Sequence, residues 1–275
     1  MRIQRLAATT GLAALALSGV GLGQGSAPTY AKLGTVNVME TLDGSEVSRM
    51  ASGFFIVPAQ PLNAVPGLTT AARGVCFVTA FTPEQAPPPG QGPGGAGFNA
   101  LDAGERLTIR GGGHDLATIE RMAMDSGQIK SINYIAADLP ELKGDLLLDI
   151  PGATPGFPKM TGVAFPAMPP AMDLKASTPL SAITKATTFS WTAGSSGNLV
   201  ILGGDGKAGG KDANFTCTAA DDGRFAFPAD TQAEMDKIGF TDGHLTNAGR
   251  IADSSHVVGD AVLVISVNRM TLYGK

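Results

Sequence analysis

Charged and aromatic residues are scarce in this sequence. Asp, Glu, Lys and Arg make up 16% of its 275 residues, aromatic residues make up 6%, and the formal net charge is -4. The Lys and Arg residues do not cluster, whereas a nucleic-acid-binding protein carries a basic patch that meets the phosphate backbone. We therefore expect no nucleic-acid partner. Apolar residues reach 43%, which is enough for a buried core and argues against global disorder.

The first residues have the pattern of a secretory signal peptide. Arg2 and Arg5 precede an uncharged stretch from Leu6 to Gly23, and small residues that suit cleavage follow. We interpret residues 1–25 as a signal peptide and expect the mature chain to begin between Gln24 and Tyr30. The alternative is an uncleaved anchor, but a spanning helix needs roughly 20 strongly apolar residues and polar residues dilute this run.

Export follows from this interpretation. The mature protein is expected in the periplasm, on the cell surface or in the medium, with no transmembrane span. Loss of the two arginines would take the formal net charge from -4 to -6.

Strand patterns dominate the rest of the chain. Short stretches alternate apolar and polar residues with a period of two, which is typical of a strand with one buried face. Segments with this pattern or with a continuous apolar run include 35–38, 74–81, 106–110, 131–134, 146–150, 187–191, 199–202 and 261–267. One short helix is predicted over 230–238, with Thr231 and Glu234 at capping-box spacing and Gly239 as its end. The predicted fold class is all-β.

Glycine and proline divide the chain into regions. We predict an N-terminal β domain over 28–165 with a Pro/Gly-rich loop at 83–97, because this loop cannot hold a ladder of backbone hydrogen bonds. A proline-rich connection over 166–180 leads to a second β domain over 181–275. Antiparallel strands in series with almost no helix favour two β-sandwiches. Asp221-Asp222-Gly223 is the strongest hairpin signal.

The C-terminal part resembles a known family of domains. Phe189-Ser190-Trp191-Thr192-Ala193, followed by a turn and Leu199-Val200-Ile201-Leu202, is similar to the second and third strands of a fibronectin type III or immunoglobulin-like domain. The resemblance covers about residues 180–275 and implies that Trp191 fills the core between two sheets. It supports an architecture and assigns no activity.

Three glycine-rich segments do not match the catalytic or cofactor-binding motifs that they superficially resemble. Gly194-Ser195-Ser196-Gly197 lacks the G-x-S-x-G arrangement of a nucleophile elbow, and Gly203-Gly204-Asp205-Gly206-Lys207 lacks the pattern of a phosphate loop. Gly111-Gly112-Gly113-His114 is more simply a turn after a strand than an oxyanion loop. We therefore assign no catalytic residue and no cofactor.

The three histidines are the candidate metal ligands. His114, His244 and His256 each have an aspartate close by in sequence. None of them forms a pair at the close spacing by which one strand or helix presents two ligands together. The alternative is that they are exposed loop residues.

Cys76 and Cys217 are the only cysteines. An even count in an exported chain favours a disulfide. Both residues also lie in apolar strands that would suit buried free thiols, and a bridge needs Cα atoms within about 7 Å. Both alternatives stay open from the sequence alone.

These observations favour a non-enzymatic exported β-sandwich protein with a structural, adhesive or binding role in the cell envelope. The expected partner is an envelope protein or a polysaccharide. One alternative is a secreted hydrolase whose catalytic residues lie on loops. The other is a periplasmic protein that binds a metal or a small ligand.

Overall fold

A computed structural model describes residues 29–58, 62, 74–81, 99–125 and 130–274 of the chain. The predicted signal peptide (1–25) and the Pro/Gly-rich loop (83–97) lie outside the described residues. No helix in the described ranges is long and apolar enough to span a membrane.

The protein is all-β, as the alternation of apolar and polar residues predicts. Its strands are β1 (Lys32–Asp43), β2 (Glu46–Val57), β3 (Cys76–Phe81), β4 (Asn99–Ala100), β5 (Arg106–Gly111), β6 (His114–Asp125), β7 (Lys130–Ala137), β8 (Leu146–Ile150), β9 (Met160–Ala164), β10 (Lys175–Ala176), β11 (Thr188–Ser190), β12 (Leu199–Ala208), β13 (Lys211–Ala220), β14 (Arg224–Ala226), β15 (Phe240–Val258) and β16 (Ala261–Leu272).

The helix α1 spans Ala229–Ile238, one residue longer than predicted. Gly239 ends it with φ of 67°, a left-handed conformation that glycine adopts without strain. The predicted capping box does not form, because Pro228 occupies the N-cap position and no side chain caps the first turn.

Thirteen strands form one large sheet. Its order is β3-β13-β12-β15-β16-β1-β2-β7-β6-β5-β8-β9, and β4 pairs with β2 off this path. β1 and β16 pair in parallel at the centre, while the other described pairs are antiparallel. A small second sheet has the order β10-β11-β14.

The large sheet crosses the predicted domain boundary. β3, from the first predicted domain, pairs with β13, and β1 pairs with β16, so strands from both sides of residues 166–180 share one sheet. The division into two domains stays a prediction.

Two large hydrophobic clusters form the core. In the first, Phe55 packs edge-on against Tyr134 at a ring distance of 5.4 Å and lies 4.7 Å from Phe157. In the second, Phe189 of β11 and Phe225 of β14 join residues of β12 and β13, so the small sheet packs on the large one. This layered packing is compatible with a β-sandwich.

Trp191 belongs to the second cluster and is 7% exposed, as expected for a core residue.

Two-residue glycine turns make two of the hairpins. Gly112-Gly113 joins β5 to β6, and Gly209-Gly210 joins β12 to β13. Both residues of each turn have positive φ, as a type I′ turn requires.

The hairpin prediction at Asp221-Asp222-Gly223 is wrong. β14, which follows this turn, pairs with β11 in the small sheet and not with β13. At this crossing between the sheets Asp221 is buried, and its carboxylate accepts hydrogen bonds from Trp191 and Arg250.

Candidate ligand-binding site

A shallow pocket of about 300 Å³ lies on β5, β8 and β9. We call it the outer pocket. The residues that line it are Arg106, Thr108, Asp149, Ile150, Pro151, Lys159 and Thr161.

Strand alternation places the polar residues of the outer pocket. On β5, Arg106 and Thr108 alternate with the buried Leu107 and Ile109, so their side chains leave the core on the opposite face. Asp149 stands directly across from Thr108 in the β5–β8 register. It likewise alternates with buried neighbours on β8.

β9 supplies the remaining wall. Ile150 of β8 pairs with Met160 of β9, which places Lys159 and Thr161 on either side of this pair. Lys159 and Thr161 are both exposed. The pairing of β5 with β8 and of β8 with β9 therefore brings these polar side chains onto one surface.

Asp149 is held in place by two donors. Its Oδ1 accepts a hydrogen bond from the Gly162 backbone N–H at 2.6 Å, and its Oδ2 accepts one from Arg110 Nη1 at 3.1 Å. Arg110 also lies 3.7 Å from Asp115. The carboxylate is thus fixed at one wall of the pocket with its charge already matched by Arg110.

Arg106 and Lys159, unlike Arg110, have no acidic partner among the described residues. Neither forms an ion pair or a side-chain hydrogen bond with any residue in the described ranges. Glu120 of β6 stands opposite Arg106 in the register but does not reach ion-pair distance. The outer pocket therefore carries two cations whose charges the described part of the fold leaves unmatched.

A second shallow pocket of about 240 Å³ is lined by Asp173, Lys175, Ser190, Trp191 and Thr192. Its carboxylate is already used, because Asp173 accepts hydrogen bonds from Thr192 N at 2.8 Å and Thr192 Oγ1 at 2.7 Å. These two bonds lower the pKa of Asp173, and the hydrogen bond from the Thr192 backbone has the larger effect. This pocket offers a ligand less than the outer pocket does.

Beneath the second pocket lies a buried polar group of three side chains, which we call the Arg250 network: Trp191, Asp221 and Arg250. Asp221 accepts hydrogen bonds from Trp191 Nε1 at 2.8 Å and from Arg250 Nε at 2.9 Å. The side chains of Asp221 and Arg250 are 0% and 2% exposed.

The other Arg250 donors bind backbone carbonyls. Nη1 lies 2.9 Å from Ala171 O and 3.2 Å from Pro170 O, and Nη2 donates to Thr192 O. Arg250 thereby fastens the predicted connection 166–180 to β15. Its role is structural, since its side chain is 2% exposed and its donors bind groups of the protein itself.

Tyr134 forms another internal group in the N-terminal part. Its phenol oxygen accepts from Ala103 N at 2.8 Å, and its hydroxyl lies 2.7 Å from Gly104 O and 3.1 Å from Asp102 Oδ1. Burial raises the pKa of Tyr134 to about 12, and the charge of Asp102 adds to this effect. Arg121 in turn lies 3.0 Å from Asp102.

The histidines lie on strands and not on loops. His114 begins β6, while His244 and His256 lie twelve positions apart on β15, which separates them by about 40 Å along an extended strand. No group of three or more His, Cys, Asp or Glu residues suited to a metal occurs in the described part of the chain. The described residues therefore give the metal-site prediction no support.

Cys76 and Cys217 form a disulfide bond in the structure. They stand directly opposite each other in the β3–β13 register, which brings together two residues 141 positions apart in sequence. Because β3 is an edge strand that pairs only with β13 among the described strands, the bond fastens this edge to the sheet.

Sequence reasoning missed the outer pocket. It identified the face of β5 that carries Arg106 and Thr108 and the face of β8 that carries Asp149. It did not predict that β5 and β8 are neighbours, because the pairing of strands 40 residues apart leaves no local signal. Lys159 lies near the end of the predicted N-terminal domain, beside Pro155 and Pro158, where no strand was predicted.

Comparisons of the chain with protein-family models, with curated proteins and with solved structures found no match.

Proposed function

We propose that this protein is an exported, non-enzymatic β-sandwich protein of the cell envelope, and that its outer pocket binds an anionic group of an envelope polymer. The pattern of Arg2, Arg5 and the apolar run that follows supports export. The resemblance of about residues 180–275 to fibronectin type III or immunoglobulin-like domains is part of this proposal and concerns the architecture alone.

The unmatched charges of Arg106 and Lys159 carry the proposal. A guanidinium presents a planar fork of donors that fits a carboxylate or a phosphate, and a lysine ammonium adds a point charge. The hydroxyls of Thr108 and Thr161 stand beside them and can donate to the same anion. A volume of about 300 Å³ is at the lower end of the range for ligand pockets.

The openness of this surface suits a polymer more than a free metabolite. The pocket lies on the outer face of three strands and not inside a cleft, so a chain of repeating units can cross it. A polymer presents many linked copies of its anionic group, so the effective concentration of that group beside a single weak site is high. An acidic polysaccharide of the envelope fits these requirements.

Binding of dextran sulfate, with neutral dextran of the same length as reference, tests the proposal. We expect the purified mature protein to bind dextran sulfate with an affinity that falls as salt rises, and not to bind dextran. The double variant Arg106→Gln/Lys159→Gln should bind at least tenfold more weakly, because it loses two charge-assisted contacts.

A matched variant controls for net charge. Lys211 and Arg224 are exposed residues outside the outer pocket, so Lys211→Gln/Arg224→Gln removes the same two charges elsewhere. Equal weakening by both double variants would mean that binding follows net charge alone, and the outer pocket would not be the site.

A further inference from the structure

The outer pocket combines unmatched cations with a fixed hydrogen-bond acceptor, and this combination limits the class of ligand. Asp149 is ordered by Gly162 and Arg110 on one side, but it still forms a wall of the pocket. An ionised carboxylate has about four lone-pair positions, of which two are filled here. The remaining ones can accept hydrogen bonds from a ligand.

A simple anion would gain little from this arrangement. It would meet Arg106 and Lys159 with favourable charge, but it would also approach the Asp149 carboxylate, and like charges repel. A ligand that places its charge near the cations and a hydroxyl near Asp149 satisfies both sides of the pocket. The hydroxyls of Thr108 and Thr161 can either donate or accept, so they suit neighbouring hydroxyls of the same ligand.

The apolar part of the lining agrees with a carbohydrate. Pro151 is exposed, follows β8 directly and lines the pocket, where it adds apolar surface beside the polar groups. Sugars present such C–H surfaces between their hydroxyl groups, and ligand sites commonly combine an apolar wall with a few placed polar groups.

We infer that the outer pocket binds a sugar unit that carries an anionic substituent, a carboxylate or a phosphate, with the substituent at Arg106 and Lys159 and a ring hydroxyl at Asp149. This inference rests on the proposed function and names the ligand class of the same site. Uronic acids and sugar phosphates share this chemistry.

Titrations of the wild-type protein with five small probes test the inference at pH 7. The probes are glucuronate, glucose 6-phosphate, acetate, inorganic phosphate and glucose, followed by NMR through the methyl signals of Thr108 and Thr161. We expect at least one anionic sugar to bind tenfold or more tightly than the bare anion with the same charged group and than glucose. Glucuronate and glucose 6-phosphate then distinguish the carboxylate from the phosphate.

The variant Asp149→Asn gives a second signature. Its amide oxygen can still accept from Gly162 N, so the local backbone contact is preserved, while the negative charge is lost. We expect the anionic sugar to bind about tenfold more weakly, because a hydrogen bond to a charged acceptor is replaced by a weaker one. A bare anion should bind more tightly, because a like charge has been removed. Asp145→Asn, at an exposed position just before β8, is the matched control.

The outcomes separate the two proposals. If acetate and phosphate bind as tightly as the sugars that carry the same group, the inference is overturned while the anion site remains. If no anion binds, both proposals fail. If Asp149→Asn does not fold, the ranking of the five probes on the wild-type protein still decides.

Discussion

Arg250 and Arg106 both lie on strands of the same large sheet, but their surroundings are opposite. Arg250 is buried, and its donors bind Asp221 and the carbonyls of residues 170, 171 and 192. Arg106 reaches the outer face beside Lys159, and no described residue pairs with either. The difference separates an arginine that stabilises the fold from one that is free to meet a ligand.

The physical reason lies in desolvation. A buried charge is tolerated only when it is paired and hydrogen-bonded, and removal of its partner leaves an uncompensated charge in the interior. An exposed charge keeps its water, so its loss changes stability little. Substitutions in the Arg250 network should therefore change stability, whereas substitutions in the outer pocket should change binding.

Removal of the disulfide should have the largest effect on stability. The bond closes a loop of 141 positions, and the chain-entropy model assigns such a loop about 5 kcal/mol. We expect Cys76→Ala/Cys217→Ala to unfold at a much lower denaturant concentration while its anion affinity stays unchanged. Denaturant titrations compared with those of the oxidised wild type measure this loss. Coincident unfolding curves would show that the bond does not constrain the unfolded chain.

Arg250→Ala should destabilise the protein by about 3–5 kcal/mol, because it leaves the buried Asp221 carboxylate without its charged partner. Trp191 is the only tryptophan and donates to the same carboxylate, so its fluorescence reports on the network during urea unfolding. The double variant Arg250→Ala/Asp221→Ala completes a cycle and should lose less than the sum of the two single losses. Strict additivity would contradict a coupled pair.

Tyr134 should make stability depend on alkaline pH. Its pKa is about 12 in the folded protein and about 10 in the unfolded chain. A folded pKa above the unfolded value means that the contribution is complete below pH 10 and is lost as the pH rises from 10 to 12. This pKa difference of about two units corresponds to a loss of at most about 3 kcal/mol in the free energy of unfolding.

Tyr134→Phe is the control for this pH dependence. It lacks the titrating group, so its unfolding free energy should fall less between pH 10 and pH 12 than that of the wild type. Parallel curves for the two proteins would mean that Tyr134 ionises equally easily in the folded and unfolded states.

Arg106→Gln/Lys159→Gln should have the smallest effect on stability. Both residues are at the surface without described partners, so the free energy of unfolding should change by less than about 0.5 kcal/mol. Urea titrations of this variant and of the Lys211→Gln/Arg224→Gln control measure the change in the free energy of unfolding. A loss comparable to that of Arg250→Ala would show that the outer pocket is structural.

The sequence predicts the fold class and much of the inner face. Alternation identified β5 and β8, and it also predicted correctly that Phe189 and Trp191 are buried, although β11 ends one residue before Trp191. β15 was missed, because Ala248, Arg250, Ala252 and Ser254 give its inner face small or charged residues and no apolar alternation. A lone arginine in such a stretch is normally exposed, so its burial could not be foreseen.

The predicted strand 199–202 is too short, because β12 continues through a glycine-rich stretch to Ala208. Gly203, Gly204 and Gly206 resemble a loop but lie within β12. A Cβ at Gly204 would come within 2.4 Å of the Phe215 ring and of the His244 carbonyl oxygen. Glycine is required there by close packing between neighbouring strands, and only the three-dimensional pairing reveals this.

Mapping of the surface that an anionic ligand contacts tests the central claim most directly. Backbone amide signals are followed by NMR while the wild-type protein is titrated with a short dextran sulfate oligomer. We predict saturable shifts at Thr108, Asp149 and Thr161, with unchanged signals at Trp191 and Arg250. Shifts that centre on Asp173 and Lys175, or that spread evenly over exposed lysines and arginines, would contradict the claim that the outer pocket is the binding site.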